Sequence, residues 1–238
     1  MATLTGSTIA SSYEQLLSLP DGGGNTTTLV AVTDGDAGTT FAMQLSTTTV
    51  CIDNPTADSS TQGGILRLQS DDGALMQSGS RLGVIEFAGA EDSSNTITVG
   101  GRIESVTDAA WSATENGADM VFYTTDGNAS QSEVMRLTAD NLVGINTDSP
   151  DGQLDVFRND TATTGQLVVQ QDGSGDAAIR LLLTGTQTWM MGIDNSDSDK
   201  FKISSDGTGV ETATKFVLDT NSRISLSNND SGTSNTVF

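Results

Sequence analysis

The sequence predicts an all-β protein. It is expected to form an elongated, fibrous homotrimer of repeated short-strand modules, preceded by one short N-terminal helix. Three observations carry this. First, the chain repeats itself. EVMRLTADNLVGINTDSPDGQLDV, starting at Glu133, returns in looser form as TKFVLDTNSRISLSNND, starting at Thr214. Leu137 matches Leu218, Val143 matches Ile224, and Ile145 matches Leu226. The stretches just before also match, DMVFYTTDG from Asp119 against DKFKISSDG from Asp199, and FAMQLSTTTVCID from Phe41 is a third echo. Repeated short strands and polar turns mark a β architecture stacked along an axis. Second, 35% of the residues are hydrophobic and 5% aromatic, a thin core for one compact chain of 238 residues. Three chains around one axis could share a core, with alternating strands turning one face inward and the other to water. Third, Asp-Gly pairs recur at Asp72-Gly73, Asp126-Gly127, Asp172-Gly173 and Asp206-Gly207. Such pairs favour tight turns because both central residues tolerate positive φ.

The elements follow in order. Residues 1–24 hold the predicted helix, from Ser11 to Leu19. Ser11 and Glu14 fit a capping box, in which hydroxyl and carboxylate satisfy free amides at the helix start. Tyr13, Leu16 and Leu17 form its apolar face, and Pro20 with the glycines at 22–24 ends it. That face is either a docking element beside a glycine joint or a cap packed on the first strands. Residues 25–55 read as a first β segment around the Thr-Asp-Gly-Asp turn at Thr33. Residues 56–149 and 150–230 read as two β modules. Within them Ile65–Asp92 and Gln166–Asp197 read as equivalent hairpins. Residues 231–238 are left as the start of a further repeat.

The first repeat resembles the E-R-M-R-I-t-s-x-G-x-V-G-I-G-T-x-x-P-x-x-x-L-x-V signature of bacteriophage fibre proteins. The match runs through Glu133, Met135, Arg136, Leu137, Val143, Gly144, Ile145, Thr147, Pro150, Leu154 and Val156. VFYTTDGNASQSE is similar to the lead-in of that signature, and QQDGSGDAAIRLL and IDNSDSDKFKISSD resemble another fibre unit. LTGSTIASSYEQLLSL resembles the N-terminal segment that anchors many marine phage fibres to the virion, and the final Asn-Thr-Val-Phe resembles a further repeat. One departure is that Asn146 stands in place of a glycine. The resemblance implies a structural, non-enzymatic virion protein. Tyr13, Leu16 and Leu17 would anchor it to a phage tail or capsid protein, tail attachment being favoured over a capsid-attached head fibre. A distal part would touch a host surface receptor, a glycan. Leu137, Val143, Ile145, Leu218, Ile224 and Leu226 would form the trimer core. A secreted bacterial adhesin is the alternative from another class. The N-terminus shows no signal peptide, which weighs against it.

Charge narrows the partners. With 31 acidic against 10 basic residues the chain carries a net −21, and no basic cluster exists to contact phosphates. No stretch is long and apolar enough for a membrane-spanning helix. Cys51, the single cysteine, lies in an apolar alternation and reads as a small buried hydrophobe. No histidine is present to act as the commonest general base or metal ligand. Asp194, Asp197 and Asp199 crowd carboxylates into one run that offers oxygen ligands to Ca²⁺. The run lacks the glycine and distal glutamate of an EF-hand loop, and a solvated turn is the competing reading. No cofactor and no catalytic residue is expected: the aspartates sit in turn contexts, and nothing brings Glu86, Glu104 and Glu133 together. Gly100-Gly101 reads as a turn. Trp189 reads as a core or interchain anchor, and Trp111 as an exposed surface that could stack on a sugar.

Overall fold

The computed structural model describes Leu19 and residues 28–33, 40–54, 60–127 and 130–226. The expected N-terminal helix with Tyr13, Leu16 and Leu17, the first Asp-Gly turn and the segment 231–238 lie outside these residues. What is described is all-β: fourteen strands in antiparallel sheets and a single 3₁₀ turn. Two compact units divide between Val143 and Gly144.

The first unit opens with a three-stranded sheet of β1 (Val30–Thr33), β2 (Thr40–Leu45) and β3 (Val50–Ile52), in that order. Its second hairpin closes on Ser46, whose hydroxyl accepts from the amides of Thr48 and Thr49. Such local acceptors favour turns over ladders. Cys51 is half-buried. An up-and-down meander follows, made of β4 (Arg81–Ala90), β5 (Ile97–Thr107), β6 (Ala118–Thr125) and β7 (Gln131–Leu137). The β4–β5 turn is built on Asp92, whose carboxylate accepts from the amides of Ser94 and Thr96 and from the Thr96 hydroxyl. Gly100-Gly101 is not a turn. Both lie inside β5, where the β4 partner steps from Gly101 to Val99. Gly100 is the extra residue of a β-bulge, a place where lacking a side chain eases the kink.

The strand order of this sheet runs on through β8 (Val143–Ile145) and β9 (Leu154–Val156). Gly144 is required here, since a Cβ would stand 2.4 Å from the Thr147 carbonyl oxygen. In the second unit β10 (Ala177–Leu183), β11 (Gln187–Asp194), β12 (Lys200–Ser204), β13 (Thr214–Leu218) and β14 (Ile224–Leu226) form another meander in sequence order. The 3₁₀ turn Asn195–Asp197 joins β11 to β12.

The repeat read from the sequence is a repeat of structure. β7–β8 and β13–β14 are joined by the same turn. Thr138 donates its amide to the Leu142 carbonyl and Asn141 donates to Thr138. Eighty-one residues on, Asp219 donates to Arg223 and Ser222 donates to Asp219 (the spacing is that of Leu137 to Leu218). Asn141 and Ser222 both have φ of 64°, a left-handed conformation open chiefly to glycine and asparagine. Asn146, with φ 59°, takes the same left-handed conformation. The lead-in is different. The sequence match sets Asp119 against Asp199, but Met120 lies opposite Leu137 and Phe201 opposite Leu218. The structural repeat therefore runs one residue out of step with the sequence match, and a one-residue slip exchanges the two faces of a strand.

The hairpin expected within Ile65–Asp92 does not form, whereas Gln166–Asp197 does contain one, β10–β11, confined to its second half. Ile65–Ser70 and Gln166–Gln171 carry no strand, while β4 pairs with β5 and β10 with β11. The turns between do close on themselves: Asp71 and Asp72 accept from the amides of Gly73 and Ala74, and Gln171 accepts from that of Gly173. A closed turn does not make a ladder when the strand beyond it has another partner.

Candidate functional site

Both large sheets have two unlike faces. On the second unit's sheet, Ala177, Ile193, Phe201, Leu218 and Ile224 lie side by side across all five strands. The next row on that face is Ile179, Met191, Ile203 and Phe216, and beyond it Leu181 stands beside Trp189. Phe201 and Phe216 meet edge to face at 6.5 Å. The face is largely apolar, with Gln187 opposite Leu183 at its end, yet open: Leu183 and Ile224 are each 64% exposed, and Leu181, Trp189 and Ile193 are exposed as well. The first unit repeats the arrangement, with Ile85, Ile103, Phe122 and Met135 in one row and Met120 beside Leu137. Phe87, two residues along β4 from Ile85, is 60% exposed.

The opposite faces hold the buried charges. In the second unit Lys202 donates to Asp194 at 2.7 Å and lies 2.6 Å from Asp197, which also accepts from Lys200 at 2.6 Å. Asp194 further accepts from the Ser196 hydroxyl and the Asp197 amide. Burial would raise the Asp194 carboxyl, but the hydrogen bond from Lys202 and the further donors hold it below its ordinary value. Burial likewise would lower the Lys202 ammonium, and its two carboxylate partners hold it above the usual lysine value. Hydrogen bonds from Lys200 and Lys202 depress Asp197. In the first unit Glu104 is buried between Arg81 at 2.8 Å and Arg102 at 3.3 Å. Its Oε2 lacks a hydrogen bond of proper angle, so these contacts are ionic in kind. The Arg102 guanidinium lies 4.0 Å from the centre of the Tyr123 ring, a cation–π contact. Arg136 donates to Glu133 and to Asp119, both at 2.6 Å, and the Glu133 carboxylate heads the causes that raise it.

The residues singled out from the sequence fall as follows. Leu137, Val143, Ile145 and Leu218 are half-buried, Ile224 is exposed, and Leu226 holds the register position opposite Phe216. Asp194 and Asp197 are engaged by lysines, and Asp199 has φ of 58° in the turn that follows. No group of three acidic, histidine or cysteine side chains is arranged to hold a metal ion among the described residues. Trp111 is not a free stacking surface: it is half-buried, donates Nε1–H to the Gly117 carbonyl and is tied through its amide to Met76. Trp189 sits on the open apolar face. Arg81, Arg102, Arg136 and Lys202, which partner the buried acids, were not foreseen. The signal available was that seven of the ten basic residues, these four among them, lie in strands.

No family model and no curated protein matches the chain. Among the solved structures similar to it are two of one tail fibre. One is the carboxy-terminal domain of the bacteriophage T5 L-shaped tail fibre with its intramolecular chaperone domain, at 9% identity and a TM-score of 0.36. That alignment covers 73% of this chain and 62% of the other. The second is the carboxy-terminal domain of the same fibre, at 9% identity and a TM-score of 0.33, covering 74% of this chain and 90% of the other.

Proposed function

We propose that this chain is a structural, non-enzymatic component of a phage virion: a trimeric fibre, attached to the tail, that contributes to host attachment. The observation that carries the reading is the pair of open apolar sheet faces. A chain that buries its ions on one face and leaves rows of Ile, Leu, Met and Phe uncovered on the other is built to be covered by protein. Copies of itself around one axis would do so, with Leu137, Val143, Ile145, Leu218, Ile224 and Leu226 in the shared core. The resemblance of Glu133–Val156 to fibre signatures points the same way. The virion is the expected location. The N-terminal segment with Tyr13, Leu16 and Leu17 would dock on a tail protein, and a distal part would reach a host glycan.

Two measurements test it. An antibody against Gln166–Asp199 should label projections from tails in electron micrographs of intact particles. Labelling over the head would move the attachment to the capsid, and unlabelled particles would end the virion reading. Deleting residues 1–24 should leave the β modules folded and abolish incorporation. Normal copy number of the shortened protein in purified particles would refute the anchor.

A further inference from the structure

Each module carries an apolar segment that has no strand partner among the described residues. Ile65, Leu66 and Leu68 precede the first module's sheet, and Leu167, Val168 and Val169 precede the second's. All six are exposed, Ile65 to 72% and Val168 to 71%. The composition is that of strands, since β-branched and large apolar residues fit a pleated, half-buried surface. Yet no backbone hydrogen bond is made by Ile65–Ser70 or by Gln166–Gln171 among the described residues. Further along each module comes a strand whose outer edge has no partner among the described residues. β4, of ten residues, and β10, of seven, are the first strands of their sheets and pair on one side with β5 and β11. A long apolar edge strand is a template for a further strand, and proteins normally cover or charge it.

The first module shows why the segment does not fold back on its own edge. Between it and β4 the chain is fastened to the end of β5. Gly79 donates to the Thr107 carbonyl, the Ser78 hydroxyl donates to that of Asp108, and the Trp111 amide donates to Met76. The segment itself crosses the face of β4, with Leu68 occupying the space that a side chain on Gly83 would need.

Resting on the trimer reading above, we propose that Ile65–Gln69 and Leu167–Gln171 are strands of the assembled protein. Each is completed by a second copy of this chain, lying along that copy's β4 or β10 edge. The donor segment and the acceptor edge are different surfaces of one chain. The contact is therefore heterologous, and it closes into a ring when each copy gives to the next and receives from the previous one. The same donor and acceptor occur in both modules, so the exchange is made twice per chain.

Amide hydrogen exchange on the full chain, with mass measured by light scattering on the same sample, tests this. In particles of three-chain mass, amides of Leu66–Gln69 and Val168–Gln171 should exchange about 100-fold more slowly than those of the exposed stretch Thr161–Gly165. Three-chain particles whose segment amides exchange as fast as that stretch would overturn strand exchange and leave the trimer standing. Single-chain particles would overturn both. The chain of origin is decided by disulfides in a Cys51→Ser background, pairing Val168→Cys in turn with Ala178→Cys, Arg180→Cys or Leu182→Cys. Covalent bands of two and three chains on a non-reducing gel are expected for at least one pair. Disulfides that close within one chain, or none with any pair, would overturn the proposal.

Discussion

At the scale of single residues the most consequential group is Lys202 with Asp194. Their side chains are 8% and 1% exposed, so each is desolvated and depends on the other. Replacing Lys202 with Met leaves Asp194 buried without its counter-ion, which costs about 3–5 kcal/mol when a buried pair is broken on one side. A large fall in melting temperature is expected, with the first unit's sheet unaffected. The pH dependence follows from the directions of the shifts. Asp194 and Asp197 are held below the ordinary aspartate value of 3.8, so their contribution is present above it and is lost as pH falls through their depressed values. Lys202 is held above the ordinary 10.5, so its contribution is present below that pH and is lost as pH rises through the raised value. Melts recorded between about pH 3 and pH 11 should therefore show loss at both ends, with a shallower acid limb in Lys202→Met. An unchanged acid limb in the variant would mean that other carboxylates govern acid unfolding. None of this was legible in the sequence. The run from Asp194 to Asp199 read as spare carboxylates because the lysines that neutralise them come from the adjoining strand, and only the register decides which face Lys202 takes.

At the scale of elements, local chemistry was legible and pairing was not. The β7–β8 and β13–β14 hairpins could be read because their turns are specified by a few neighbouring residues: Thr138 or Asp219 to accept, Asn141 or Ser222 to take positive φ. The partner of β4 could not, because alternation in Ile65–Ser70 states that a stretch can be a strand without stating whose. The bulge at Gly100 and the one-residue offset of the lead-in were hidden for the same reason. The repeat makes a paired prediction. Val143→Asp and Ile224→Asp each place a carboxylate on the apolar face, and in a closed assembly that charge would be buried without a partner, at several kcal/mol per copy. Assembly should fail while the chain's own hydrogen-bonded turns persist. Asp126→Asn and Asp206→Asn should melt within about 0.5 kcal/mol of the parent, because Asn can accept the same turn hydrogen bonds from Ser130 and Thr208. Full assembly of both apolar-face variants would show that these faces are not the shared core. A Ca²⁺-dependent loss in the Asn variants would instead assign those acids to a cation.

At the scale of the whole molecule two large forces oppose each other. The apolar faces favour association, since fully burying one Leu or Ile stabilises by about 1.5–3 kcal/mol and each module offers several. The net charge of −21 on every copy opposes it, and the repulsion rises with copy number. Apolar burial is short-ranged and nearly indifferent to moderate salt, whereas repulsion between exposed charges is screened beyond about 8 Å at physiological ionic strength. The balance should therefore shift with salt in a definite direction. The purified chain of 24.6 kDa should scatter light as three copies, about 74 kDa, at physiological salt and above. On dilution into about 0.01 M salt, where the screening length reaches about 30 Å, the mass should fall or the melting temperature drop. The Lys202→Met variant, more acidic by one charge per copy, should dissociate at higher salt than the parent. A two-copy mass would mean that the faces pair isologously and that the axial arrangement is wrong. A soluble one-chain species at every salt concentration would mean that half-exposed Phe, Ile and Leu are tolerated in isolation. The hydrophobic argument for a shared core would then be lost, whatever the repeat looks like.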